Sequence, residues 1–282
     1  MNKHPIFQNQ HRIPKVYLKH FGDNKIISVY QKFRSHTQNL FIDKFSSEIN
    51  IFDLPFDDFD LKGYFELKTA QIENDYPKVV KSISNQKKLI QKHKKTLVKF
   101  IASLICKSVS HQNFFKGLID DENCRNKFIQ EVLMFCEKED VHHYFGNQYF
   151  DRKNNFNTFL CLLFEHLTIV LQNFNFVILR DFDDRGWFTS ENPVLIDKQN
   201  RFDWIVPLES EIYFPISRDF CLFLFHNSSE IKTNLLRSFL VNQINLTDEN
   251  LHKNISNKLA SNDNEFIIFP VLIENISLDE IE

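Results

Sequence analysis

NFVILRDFDDRGWFTSENPVLI, residues 175–196, is the stretch in which the chain changes its hydrophobic period. Upstream, apolar side chains recur every three or four residues, as on a helix face. NFVILRD (175–181) instead carries a continuous apolar run of strand length, followed by the turn formers Asp183, Asp184, Arg185 and Gly186. The spacing predicts a β-hairpin whose second arm is WFTS. Strands are therefore expected in the last third of a chain whose middle is helical.

Working outward, EIYFPI (211–216) and DFCLFLF (219–225) read as two further strands. EFIIFPVLI (265–273) reads as a last one, and KIISVYQ (25–31) as an early one after Gly22, Asp23 and Asn24. Residues 230–258 read as helical, with a break at Asn245 and an N-cap at Thr247. Between 61 and 84, Phe65, Ile72, Tyr76, Val79, Val80 and Ile83 share a helix face, and Pro77 is expected to kink or split that helix. A second helix is expected over 86–109, with Lys87, Lys88, Lys92, Lys94, Lys95 and Lys99 on its polar face. Two more are expected over 122–138 and 157–173. The sum is an α+β fold, a single domain over 1–282. Its helical central region packs on a mixed or antiparallel β-sheet built from the N-terminal strand and the C-terminal third.

At 282 residues and 43% apolar composition the chain is long enough to bury a large core. Phe is used 31 times and Gly only 5 times, and neither GxGxxG nor GxxxxGK[ST] occurs. A glycine-built phosphate cradle is thereby excluded, and no nucleotide or organic cofactor is indicated. The formal charge of −3 implies no bulk attraction to nucleic acid or membrane. The stretch from Tyr76 to Ile119, however, holds many lysines and no acid. These lysines either solvate a surface or face a polyanion such as nucleic acid. The five cysteines form no CxxC, which fits free thiols in a reducing compartment. The opening MNKHPIFQNQ lacks the apolar segment of a signal peptide, and no apolar run reaches the length of a membrane span. A cytoplasmic protein is the expectation.

TSENP (189–193) divides into two parts. Thr189, Ser190, Asn192 and Pro193 are what a turn needs. Glu191 is not explained by turn chemistry, and a carboxylate at a strand end suits proton transfer or a cation. His11 is a candidate acid or base, set against the ordinary role of a hydrogen-bonded structural histidine. Glu66 and Glu73 lie seven residues apart on one helix face, where they either share a divalent cation or pair with lysines of the next helix. Lys107 stands at an apolar helix end, where a charge needs a reason. EDVHHYF (139–145) contains one ExxH, but a di-iron bundle needs two such elements, and Glu165–His166 does not supply the second. HExxH and GxSxG are absent.

HRIPKVYLKHFGDNKIISVYQK (11–32) resembles the HYVPQxYLxxF opening of domain-of-unknown-function family 4238, a prokaryotic group. WFTSENPVLI (187–196) with the later EIYFPISRDFCLFLF is similar to that family's FITSDNPV and FPLS stretches. YFELKTAQIEND (64–75) resembles its paired-glutamate helix. The likeness runs from His11 to about Phe269 and implies no settled activity. It marks His11, Tyr17, Glu66, Glu73, Ser190, Glu191, Asn192 and Pro193 as motif positions. Arg12 and Ile13 stand where Tyr and Val are usual, Glu191 where Asp is usual, and Lys107-Ser108-Val109 where Arg-Thr-Pro is usual. The last change replaces a bidentate guanidinium by a point charge.

One expectation follows: a nuclease-like hydrolase acting on nucleic acid, as a prokaryotic defence or toxin effector. Its catalytic groups would be His11, Glu73, Glu191 and Lys107, and its substrate contacts Tyr17, Ser190, Asn192, Lys95 and Lys99. Mg²⁺ or Mn²⁺ would sit on Glu66, Glu73 and Glu191. The alternatives are a non-catalytic binding module for a small anionic ligand or partner protein, and a structural protein in which each motif is turn or core chemistry.

Overall fold

The computed structural model describes residues 8–23, 25–54, 62–135, 156–181, 183–197, 206–207, 209–227, 238–261 and 264–270. The N-terminal part contributes β1 (Asn9–His11), the short α1 (Lys15–Leu18), β2 (Ile26–Gln31), β3 (His36–Phe41) and β4 (Ser47–Ile49). The helical centre contributes α2 (Tyr64–Gln86), α3 (Gln91–Lys107), α4 (Val109–Asp120), α5 (Glu122–Phe135) and α6 (Phe156–Gln172). The rest is β5 (Phe174–Asp181), β6 (Thr189–Ser190), β7 (Leu195–Asp197), β8 (Glu211–Ser217), β9 (Phe220–His226), β10 (Ile244–Thr247), α7 (Glu249–Ser261) and β11 (Phe266–Phe269). The architecture is α+β. The strands form three sheets: β1-β4, β10-β5-β9-β8-β7 and β3-β2-β11-β6.

The helices follow their apolar spacing. In α2 the buried face is Phe65, Thr69, Ile72, Tyr76, Val79, Val80 and Ile83. Pro77 does not split it: the helix runs unbroken from Tyr64 to Gln86 and ends where Lys87 turns left-handed. Packing on both sides of Pro77 holds the two halves together despite the missing N–H. The expected helix over 86–109 is shorter at both ends. Its lysines do not line one face along its length. Lys87 and Lys88 precede α3, Lys92, Lys94 and Lys95 lie in its first half, and from Leu97 to Lys107 every side chain but Lys99 is buried. Helix α4 begins directly after Ser108, whose hydroxyl caps it by accepting the His111 N–H.

The expected hairpin between 175–181 and WFTS is not formed. β5 pairs antiparallel with β9 and parallel with β10, while Thr189 and Ser190 pair with β11 in the other sheet. Gly186 (φ 84°) and the Trp187 N–H, which donates to the Arg218 carbonyl at 2.7 Å, lead the chain out of the first sheet. The chain then returns as β7 to pair with β8. TSENP is thus the crossing between two sheets. The expected helix over 230–258 is also revised. Within its described part the chain forms strand β10 and then α7, and the cap is Asp248, which accepts the Leu251 N–H, rather than Thr247. EDVHHYF (139–145) lies outside the described residues. Cys106, Cys161 and Cys221 are buried free thiols and Cys124 is half-buried; Cys136 lies outside the described residues. No described helix is long and apolar enough to cross a membrane.

Tyr17 ties α1 to both larger sheets. It is fully buried, and its hydroxyl lies 2.6 Å from Thr189 Oγ1 while donating to the Pro215 carbonyl at 2.7 Å. Tyr17→Phe is expected to destabilise the fold by about 1–3 kcal/mol in chemical denaturation, because it strands two buried polar atoms.

Candidate functional site

Strand β1 places Asn9 and His11 on one side, as strand geometry requires, and the chain bends at Arg12 directly after it. His11 lines a small cleft of about 220 Å³ together with Lys15, Glu66, Glu73 and Lys107. Arg12 lines a larger cleft of about 930 Å³ that also holds Glu191 and Asn192. The two clefts meet at the end of α3. There Arg12 Nη1 donates to the Lys107 carbonyl at 3.3 Å and to Gln112 Oε1 at 3.1 Å, and its Nε donates to Glu48 at 2.6 Å.

Lys107 is the centre of the small cleft. Its side chain is only 1% exposed, and Nζ lies 3.0 Å from Glu66 Oε1 and 3.1 Å from Glu73 Oε1. The bland reading of the glutamate pair, as partners of a lysine on the next helix, therefore describes their contacts. Burial alone would lower the lysine's pKa, but the charges of Glu73 and Glu66 outweigh it and hold the ammonium above its ordinary value. The ring of Phe52 faces Nζ at 5.4 Å, which adds a cation–π contact. A single point charge here serves two carboxylates spaced two helical turns apart.

His11 is held below its ordinary pKa. Burial is the main cause and the positive charges of Lys15 and Lys107 add to it, while the backbone of Phe45 and the Glu66 charge oppose them. The imidazole is thus neutral near pH 7, and its buried Nδ1 has no hydrogen-bond partner among the described residues. Lys15, beside it, is 41% exposed and pairs with Asp43 at 2.7 Å.

Three of the four catalytic candidates, His11, Glu73 and Lys107, thus share one cleft with Glu66. Glu191 does not. It takes the N–H groups of Glu265 and of Phe266 (2.6 Å) and so caps the start of β11. Burial raises its pKa against the pull of those amides. This is the reason for an acid in TSENP that turn chemistry did not supply. Ser190 and Asn192 are buried in the crossing. Ser190 bonds the backbone of Asn192, and Asn192 takes the Ser108 hydroxyl and donates to Asn264 at 3.1 Å. Tyr17 is spent on Thr189 and Pro215 and does not reach either cleft. Lys95 and Lys99 are exposed on α3 and line neither cleft.

The residues do not fit a divalent cation. The place between Glu66 and Glu73 is filled by the Lys107 ammonium, and Glu191 lies in the other cleft with both carboxylate oxygens engaged by backbone amides. Among the described residues no group of three or more His, Cys, Asp or Glu side chains is arranged to hold a metal ion.

Sequence reasoning passed over Arg12, treated only as a departure from Tyr, and Lys15, one turn beyond His11. Nearness in sequence to His11 is the only signal for either. The chain belongs to family DUF4238, proteins of unknown function, whose model matches residues 9–269. Comparison with curated proteins and with solved structures found no match.

Lys107→Met is expected to cost about 2–3 kcal/mol in denaturation, because it leaves two half-buried carboxylates facing each other without the cation between them. Adding Glu66→Gln and Glu73→Gln should recover part of that loss. A cost of about 1 kcal/mol or less, that of an exposed ion pair, would contradict this geometry.

Proposed function

We propose that the chain is a hydrolase of phosphodiester bonds in nucleic acid and that the small cleft is its reacting centre. The observation that carries this reading is the convergence of a neutral His11 with the buried, charge-locked Lys107 in one open cleft. His11 takes a proton from a water molecule as its oxygen attacks phosphorus. The phosphorus–oxygen bond to the leaving group breaks, and the imidazolium returns the proton to the departing oxygen. Lys107 and Lys15 face the charge that builds on the phosphoryl oxygens. Glu66 and Glu73 hold Lys107 in place and keep it protonated. No step passes through a metal ion, because Lys107 occupies the position that ion would need.

A second reading, a non-catalytic module for a small anionic ligand, is favoured by one observation: both carboxylates are already committed to Lys107, which leaves His11 without a free acid partner in the cleft.

Incubation of the full chain with single- and double-stranded RNA and DNA separates the two readings. Cleavage is expected, unchanged by EDTA, and reduced at least about a hundredfold by His11→Ala. Binding without any turnover would support the module. Cleavage that His11→Ala leaves intact would remove the proposed centre.

A further inference from the structure

The larger cleft is not accounted for by the chemistry of the small one. At about 930 Å³ it is roomy enough for a nucleotide-sized ligand. At its mouth stands Phe33, the middle residue of the Lys32–Arg34 turn that joins β2 to β3. Its ring is 88% exposed, more than any other large apolar side chain among the described residues. The two residues flanking it, Lys32 and Arg34, are cations. A phenyl ring held out in water between two cations buries nothing in the fold, so its use lies in what it can cover. Two amide side chains of the same cleft, Gln38 and Asn113, make no hydrogen bond among the described residues, and Lys44 on its rim makes no ion pair there. The three acids of the cleft all accept hydrogen bonds, Glu48 from Arg12, Glu191 from two backbone amides and Glu265 from Gln31, and their charges are matched by the three cations Arg12, Lys32 and Lys44. What remains open is an aromatic face, amide donors and acceptors, and a cation.

We propose that this cleft is a groove for single-stranded nucleic acid, in which Phe33 stacks on an unpaired base, Gln38 and Asn113 hydrogen-bond its edge, and Lys44 takes a neighbouring phosphate. Stacking of this kind needs a base that is not inside a duplex. The lysine half of α3 offers charge without aromatics and lacks that combination. Arg12, which lines the groove, directly follows His11, which lines the small cleft, so the two sites adjoin at this point of the chain. The proposal deepens the hydrolase reading by naming the strandedness of its substrate, but binding in the groove does not require turnover.

The test is fluorescence anisotropy of labelled oligouridine and oligodeoxythymidine, with a duplex of mixed sequence as control, on the full His11→Ala chain so that the probe survives. Single strands are expected to bind at least about tenfold more tightly than the duplex. Phe33→Ala should weaken that binding by about tenfold or more, and Phe33→Tyr should preserve it. Lys44→Met should weaken binding to all single strands alike and lower the salt slope by about one unit. The exposure of Phe33 means that its removal leaves the thermal melt unchanged. RNA and DNA arms report whether the 2′-hydroxyl is read, and preference for either sugar supports the groove. Phe33→Ala binding as tightly as its parent, or duplex binding as tightly as single strands, overturns it. If oligonucleotides bind through Phe33 while the unmutated chain cleaves none, the groove stands and the hydrolase reading falls. If cleavage depends on His11 but binding ignores Phe33, the reverse holds.

Discussion

A buried ammonium is the constraint on which the rest of this structure turns. Taking the Lys107 charge out of water costs several kcal/mol, and only close, opposite charges offset that. Glu66 and Glu73 supply them from one face of α2, so the register between α2 and α3 is set by an electrostatic requirement as well as by apolar packing. The same contact fixes where α3 ends. Lys107 is its last residue, Ser108 caps α4, and the Ser108 hydroxyl reaches Asn192 in the crossing between the sheets. Helix pairing, the helix junction and the sheet crossing are therefore linked through two consecutive residues.

That linkage gives His11 its environment. The histidine is brought beside Lys107 by β1, which is held in turn by pairing with β4. Burial and two cations keep the ring neutral against the opposing charge of Glu66, while both carboxylates pair with the lysine. The accessible groups are Lys15 in the small cleft and Lys44 with the Phe33 turn in the large one.

Local patterns in the chain carried much of the fold. The apolar face of α2, the strands in EIYFPI and DFCLFLF, and the strand at Phe266–Phe269 follow from period alone. What period does not encode is which strand lies beside which. β11 sits between β2 and β6, and β5 between β9 and β10, pairings between segments far apart in the chain. The expected hairpin failed for that reason, since two adjacent strand-like runs were joined to different sheets. Helix α4 was missed because Ser108 alone separates it from α3, with no glycine or proline to mark the stop. At the site, Lys107 was legible as a charge at an apolar helix end, and Glu66 and Glu73 as a pair on one face. Glu191 was grouped with them because chain order and residue type say nothing about the side of a sheet on which a carboxylate ends. Its partners, the amides of Glu265 and Phe266, are backbone groups that no side-chain motif reports.

The central claim is that His11 is kept neutral by burial and by the positive charges beside it. An NMR titration of the His11 imidazole in the full chain tests this directly. The account predicts a pKa below the ordinary 6.5, moving upward when Lys15→Met removes one of the two cations. A His11 that titrates at or above 6.5, or that ignores the loss of Lys15, would contradict it.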